Sequence, residues 1–180
     1  MTRLETQNVP HHWVVTALLS GLVLLSSRVS ALEHYTLQWA TYLGGNDYEH
    51  AHDVCTDARG NVYVVVGTSS TNFPIVGGTP FNPGSRTDPN GNELKDAFIA
   101  KFSPTGTLLA STFIGGSGVD NPEGIYVDAQ GHVLCTGASD SPDFSTIVGA
   151  FQRTKGAGMD AVLVRLKNDF TGLLYGTFIG

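Results

Sequence analysis

TFIGGSGVDNPEGIYVDAQGHVLCTG, Thr112 to Gly137, repeats a pattern first met at Thr41 to Gly67, TYLGGNDYEHAHDVCTDARGNVYVVVG. Over the 22 positions from Thr41 to Val62, a shift of 71 residues finds seven identities. It also aligns Tyr42 with Phe113, Leu43 with Ile114, Glu49 with Asp120 and Val54 with Ile125. A third copy opens with TFIG at Thr177. Repetition at a fixed spacing marks a fold made of one small unit used again.

Working outward from the repeat, each cycle offers four short β-prone runs. In the first cycle these are Asp53 to Thr56, Asn61 to Val66, Ala97 to Phe102 and Thr107 to Ile114. In the second they are Ile125 to Val127, His132 to Thr136, Ala161 to Leu166 and Leu173 to Ile179. AFIAKF alternates, with Phe98, Ala100 and Phe102 facing one way and Ile99 and Lys101 the other. AVLVRL stands in the same phase, Arg165 matching Lys101. Tight turns join the runs. Asp57-Ala58-Arg59-Gly60 and Asp128-Ala129-Gln130-Gly131 each place an Asp that can bond the backbone ahead of it and a Gly that accepts positive φ. A further run at 34–43, HYTLQWATYL, reads as an extra N-terminal strand that belongs to a preceding sheet or completes a closing one. Long polar loops follow each second run. The first, Gly67 to Lys95, is seven residues longer than its copy, and loops are where insertions are tolerated and function often sits. Phe73, Phe81, Phe144 and Phe151 are the hydrophobic anchors within these loops. Four strands in meander order, repeated, predict an all-β chain of two four-stranded antiparallel sheets. They read as blades of a partial β-propeller, with cycles at about 44–114 and 115–180.

The wording of the repeat carries a family likeness. V-x-x-DARGNVYVVVGTSSTNFP, then DAFIAKFSPTG, then STFIGG, resembles the SBBP repeat, a seven-bladed β-propeller repeat of secreted bacterial proteins. PEGIYVD, Pro122 to Asp128, is also similar to the opening of NHL-type propeller repeats. The resemblance runs from about Thr41 to the end. It implies an exported propeller, often an interaction or surface module, and no catalytic residues. Two departures stand out: the Gly77 to Lys95 loop is longer than the pattern, and His50 and His52 replace small residues. Propellers close with about four to eight blades. Two cycles and the edge of a third fall short of that, so further blades in the same or another chain are expected. Gly180 then reads as the end of a fragment.

Composition agrees with a turn-rich β protein. The 180 residues include 22 Gly and 8 Pro with 14% charged residues, and no long helical pattern follows the N-terminus. A net charge of -6 gives no basic footprint for nucleic acid. Residues 1–31 read as a secretory signal peptide. Arg3 precedes an apolar run from Trp13 to Leu25, too short to span a bilayer comfortably, and Val29-Ser30-Ala31 offers small side chains for cleavage. The rest, 32–180, is the repeat segment, expected outside the cytoplasm with no membrane span after cleavage. Cys55 and Cys135 sit at non-equivalent repeat positions, so two separate strand-borne thiols are the plain reading and a bridge between them the other.

Candidate chemistry is sparse. Asp88, Asn90 and Asn92, with Asp96 beyond, have the alternating oxygen spacing of a calcium loop, but Gly91 is misplaced for an EF-hand and Ile99 stands where its last ligand belongs. Asp47, Glu49, Asp120 and Glu123 flank the Gly-Gly connections, where a solvated loop explains them as well as an ion does. His50 and His52 lie two apart, a spacing that suits copper or zinc ligands on a strand with Asp47 or Asp53 near; an exposed pair is the simpler account. Gly156 to Ala161 matches a loose dinucleotide fingerprint, but a strand follows it where a helix is needed. Gly115 to Val119 misses the nucleophile elbow at its last position. Phe98, Phe102, Phe113 and Phe178 recur with the repeat and read as core. The residues name no catalytic, cofactor-binding or metal site. The reading is a secreted binding or scaffolding module that meets a protein or glycan and is not an enzyme. The alternatives are a fragment of an extracellular propeller enzyme acting on a polymer such as polysaccharide, and a calcium-stabilised adhesion repeat.

Overall fold

β-Branched and aromatic residues bounded by Asp/Gly and Gly-Gly turns form eight strands among the described residues of the computed structural model. It describes residues 36–77, 94–147 and 149–180. All eight strands belong to the unit Leu37–Gly180. β1 (Glu49–Thr56), β2 (Val62–Thr68), β3 (Asp96–Phe102) and β4 (Leu108–Ile114) make sheet 1, in that order and antiparallel throughout. β5 (Asp120–Val127), β6 (Val133–Ser139), β7 (Asp160–Leu166) and β8 (Leu173–Ile179) make sheet 2 in the same way. The described part of the protein is therefore all-β, two open four-stranded sheets that resemble propeller blades. No helix among the described residues is long and apolar enough to cross a membrane.

The two Asp-Ala-x-Gly corners have one geometry. Asp57 N–H donates to Asn61 O at 3.1 Å and Gly60 N–H to Asp57 O at 2.9 Å. The copies are Asp128 N–H to His132 O at 3.0 Å and Gly131 N–H to Asp128 O at 2.8 Å. Gly60 and Gly131 sit at φ 78° and 82°, a backbone state that L side chains resist.

β1 and β5 reach further than their sequence suggests. They start at Glu49 and Asp120, on residues that read as loop. Each contains a bulge at the same repeat position, His52 in β1 and Glu123 in β5, where the register skips one residue. An extra residue in the strand breaks the alternation on which sequence reading depends.

Alternation gives each sheet two apolar faces, and they are used differently. The back of sheet 1, with Tyr63, Val65, Ala97, Ile99, Ala110 and Ile114, packs on the front of sheet 2, with Val133, Cys135, Val162, Val164, Leu166 and Phe178. Ile125, Val127, Phe144 and Phe170 complete the buried part of this cluster. β5 reaches across to β1, β2 and β3. The front of sheet 1 forms a second cluster from Val66, Phe98, Ala100, Phe102 and Phe113, with Phe73 folded over it. The Phe73 ring lies 4.2 Å from Phe98.

The extra N-terminal strand is not formed: residues 36–43 have no strand. By repeat register Leu37 to Leu43 corresponds to β4, but a strand exists only beside a partner, and no described strand stands next to this one. Trp39 and Leu43 instead rest on the front of sheet 1. The loops after β2 and β6 have a structural task. Ser111 N–H on β4 donates to Val76 O at 2.8 Å, and on β8 Phe178 N–H donates to Gln152 O at 3.0 Å while Gly176 O accepts from Ile147 N–H at 3.3 Å. Each loop thus covers the outer edge of its own sheet, the edge that would otherwise invite other strands. Phe81 and most of the seven-residue insertion lie outside the described residues. Phe144 is a buried anchor as expected, whereas Phe151 is exposed.

Candidate functional site

Two copies of one turn, side by side, leave a groove between them. It has a volume of about 530 Å³ and is lined by the Asp57–Arg59 corner, the Tyr126–Gly131 segment and Asn168. The carboxylates of both corners are already engaged. Asp57 Oδ1 accepts from Arg59 N–H at 2.9 Å and Asn61 N–H at 3.0 Å; its Oδ2 accepts from Asn61 Nδ2 at 2.7 Å and Tyr63 OH at 3.1 Å. Asp128 Oδ1 accepts from Gln130 N–H at 2.9 Å and His132 N–H at 2.8 Å, and its Oδ2 meets the Arg165 guanidinium. Burial pushes the Asp128 carboxyl up, but the bonds from His132 N–H, Arg165, the His132 ring and Gln130 N–H outweigh it and bring it down to about 2. In Asp57 burial is likewise outweighed, chiefly by Asn61.

The groups left for a visitor are the exposed Arg59, its counterpart Gln130 in the second turn, and the exposed ring of Tyr126. Arg59 makes no ion pair among the described residues. Two planar side chains rich in N–H donors and one aromatic ring can hold a polar, ring-shaped ligand by hydrogen bonds and stacking.

The end of the groove is closed by a clasp between the sheets. Asn168 Nδ2 donates to Tyr63 OH at 2.9 Å and to Gly131 O at 2.5 Å, and its Oδ1 accepts from Lys101 Nζ. Lys101 also lies over the Tyr63 ring, 5.3 Å from its centre. Burial raises the Tyr63 hydroxyl to about 12 and lowers Lys101, so Tyr63 stays a neutral donor to Asp57. Sequence reasoning missed this clasp. Its trace in the sequence is that the β7–β8 turn is one residue longer than the β3–β4 turn.

The residues singled out from the sequence fall elsewhere and are mostly tied into the backbone. Glu49 Oε1 accepts from Thr68 Oγ1 at 3.1 Å and from Ser70 Oγ. Its counterpart Asp120 accepts at Oδ2 from Gly116 N–H at 2.8 Å and Ser141 Oγ at 2.7 Å. Asp120 thus pins its Gly-Gly connection to the loop after β6, and Glu49 ties the start of β1 to the end of β2 and the loop after it. A side chain at Gly115 would stand 2.6 Å from Asp120 Oδ2 and 3.0 Å from Asp96 Oδ1, which is why that position is Gly. Asp47 Oδ1 accepts from Tyr48 N–H at 2.6 Å. Glu123 is exposed at its bulge. His50 and His52 lie on β1 with ring centres 4.8 Å apart. Asp53 is committed to joining the sheets: its Oδ2 accepts from Ile125 N–H at 2.9 Å, and this bond depresses its carboxyl.

No group of three or more His, Cys, Asp or Glu among the described residues is placed to hold a metal ion. Asp88, Asn90 and Asn92 lie outside the described residues; Asp96 is buried at the start of β3. Cys55 and Cys135 are free thiols. Burial pushes both up, Cys135 to about 12. Gly156 to Ala161 leads into β7, the strand that argued against a dinucleotide site. Phe98, Phe102, Phe113 and Phe178 are core. No protein-family model matches the chain. No curated protein matches it either.

Proposed function

We propose that this chain is an exported β-propeller segment of the SBBP type that binds a glycan and performs no chemistry of its own. The observation that carries the reading is the groove between the Asp57 and Asp128 corners. Its free groups are Arg59, Gln130 and Tyr126. Hydrogen-bond forks beside an exposed aromatic ring suit a polyhydroxylated ring. The corners that shape the groove are locked by their own hydrogen bonds, which favours a pre-formed site over one assembled on binding. The stacked sheets give this site a rigid support. In a propeller the support extends through further sheets on both sides.

The test is a titration of ¹⁵N-labelled protein with soluble neutral and acidic polysaccharides. Shifts confined to Arg59, Gln130, Tyr126 and the two corners, lost in Arg59→Ala together with Tyr126→Ala, support the reading. Release of new reducing ends would favour the propeller-enzyme alternative. No perturbation by any polysaccharide sinks the glycan assignment. Export is tested separately by the N-terminal residue of the protein recovered outside the cell, expected to follow Ala31.

A further inference from the structure

Repeat register makes the two ends of the stack copies of the interface at its centre. The back of sheet 2 corresponds position by position to the back of sheet 1, and the front of sheet 1 to the front of sheet 2. In sheet 1 the back-face residues Tyr63, Val65 and Ile99 are 0% exposed because sheet 2 covers them. Their counterparts Leu134, Thr136 and Leu163 have no cover among the described residues: Thr136 is exposed and the two leucines are half-buried, around a cavity of about 260 Å³. On the other side, Val54 of sheet 1 is 59% exposed, while its counterpart Ile125 is 6% exposed within the interface.

The substitutions between the two faces compensate one another. The front of sheet 1 has Val64, Val66 and Phe98 where the front of sheet 2 has the smaller Cys135, Gly137 and Val162. The back of sheet 2 has Leu134 and Thr136 where the back of sheet 1 has the larger Tyr63 and Val65. Ala100, smaller than its counterpart Val164, runs the other way, and Phe98 lies under Phe73, so Val64 and Val66 against Leu134 and Thr136 carry the compensation. Polarity moves in step. Inside the molecule Tyr63 OH meets Asn168 at 2.9 Å. The matching positions on the free faces are Leu134 and Pro104, an apolar pair. Pro104 lies against Gly60 as Asn168 lies against Gly131, so the turns present these residues alike.

We propose that the uncovered back of sheet 2 docks the front of sheet 1 of a second copy of this chain, head to tail. The inference rests on the stacked-sheet reading and not on the glycan groove. A head-to-tail contact uses two different patches, so it propagates into a ring or a filament and does not stop at a symmetric pair. Trp39 and Leu43 compete for the docking face within the same chain. The Trp39 ring lies 5.7 Å from Phe102, and its Nε1 donates to Pro104 O at 3.0 Å. This cover is partial: a cavity of about 370 Å³ remains between the segment and Ala51, Val64, Val66 and Phe102. The segment forms no strand and leaves Tyr42 fully exposed.

Sedimentation velocity over a range of concentrations tests this. The purified chain is expected to associate as concentration rises. Trp39→Ala loosens the cover and moves the midpoint to about tenfold lower concentration. Thr136→Arg gives up the bond from Thr136 Oγ1 to Val162 O at 2.9 Å but leaves the ladder intact, so it abolishes association while the circular dichroism spectrum stays that of the parent. Two results would overturn the proposal: a monomer at every concentration for both the parent and Trp39→Ala, or association indifferent to Thr136→Arg. Neither result bears on the polysaccharide titration.

Discussion

Phe170 shows at a single residue how tertiary packing overrides local preference. It is the one non-glycine residue with positive φ among the described residues, at 59°. In the first repeat the same place in the turn is held by Gly106, at 84°. The shared hydrogen bond identifies the two: Gly106 N–H donates to Ser103 O at 3.0 Å, and Phe170 N–H to Lys167 O at 3.0 Å. A bulky residue in this region is strained. What holds it is burial, 2% exposed, with its ring 6.5 Å from Tyr63 in an edge-on contact. Removing the ring in Phe170→Ala should cost about 3 kcal/mol. Phe170→Gly loses the same ring but relieves the backbone, so it should be about 1 kcal/mol more stable than the Ala variant. Urea unfolding of the two variants checks the order; an Ala variant at least as stable as the Gly one would mean that the turn carries no strain. The sequence gives no sign of this because the partner, Tyr63, is more than a hundred positions away. By contrast, the Asp-x-x-Gly corners were legible, since the backbone and Asp Oδ1 bonds that shape them lie within four residues; the Arg165 bond to Asp128, 37 positions away, was not.

At the level of the element, the two acidic positions of the repeat respond to pH in opposite directions. Asp128 locks its corner with a carboxyl held at about 2. Its folded value lies below the unfolded one, so its contribution is full above about pH 4 and is lost as the pH falls through the folded value. Asp57 and Asp53 are lowered as well and share this sign. The melting temperature should therefore fall between about pH 4 and pH 2, and Asp128→Asn should lower it at pH 7 while flattening that acid limb. Asp120, at the head of β5, behaves otherwise. It is 2% exposed, and burial raises its carboxyl against the bonds from Ser139, Gly116 N–H and Ser141. Its folded value lies above the unfolded one, so its contribution is present at low pH and lost as pH rises through the folded value. Asp120→Asn keeps an oxygen to accept from Gly116 N–H and Ser141 and removes the buried charge. It should match or exceed the parent's stability at pH 7, with the gain shrinking on acidification; thermal melts at pH 4 and pH 7 compare the two. The head of β5 was the part of the sheet that sequence reading missed. Pro122, Glu123 and Gly124 are poor strand formers, and the Glu123 bulge breaks their alternation. The strand persists there because β6 supplies the ladder and Asp53 of the other sheet supplies the bond to Ile125 N–H.

For the whole molecule, four-stranded meanders were legible from the repeat, but the direction of stacking was not. AFIAKF is apolar on both faces, as a strand covered on both sides must be, and its pattern does not say which face meets a neighbour first. Ile99 and Leu163 separate the two cases within one chain. They hold the same repeat position, each in the middle of the third strand of its sheet. Ile99 is fully buried because sheet 2 lies on it, whereas Leu163 faces the uncovered side. If stacking, and not the strand's own sheet, buries this position, the same truncation must have unequal costs. Ile99→Ala should lose about 3 kcal/mol through the cavity it leaves between the sheets. Leu163→Ala, measured at a concentration low enough to keep the chain monomeric, should lose about 1 kcal/mol or less. Equal losses would mean that each sheet protects its own back face and that the contact between sheets contributes little. A large gap that narrows at high concentration would show the back of sheet 2 acquiring the cover that sheet 1 already has.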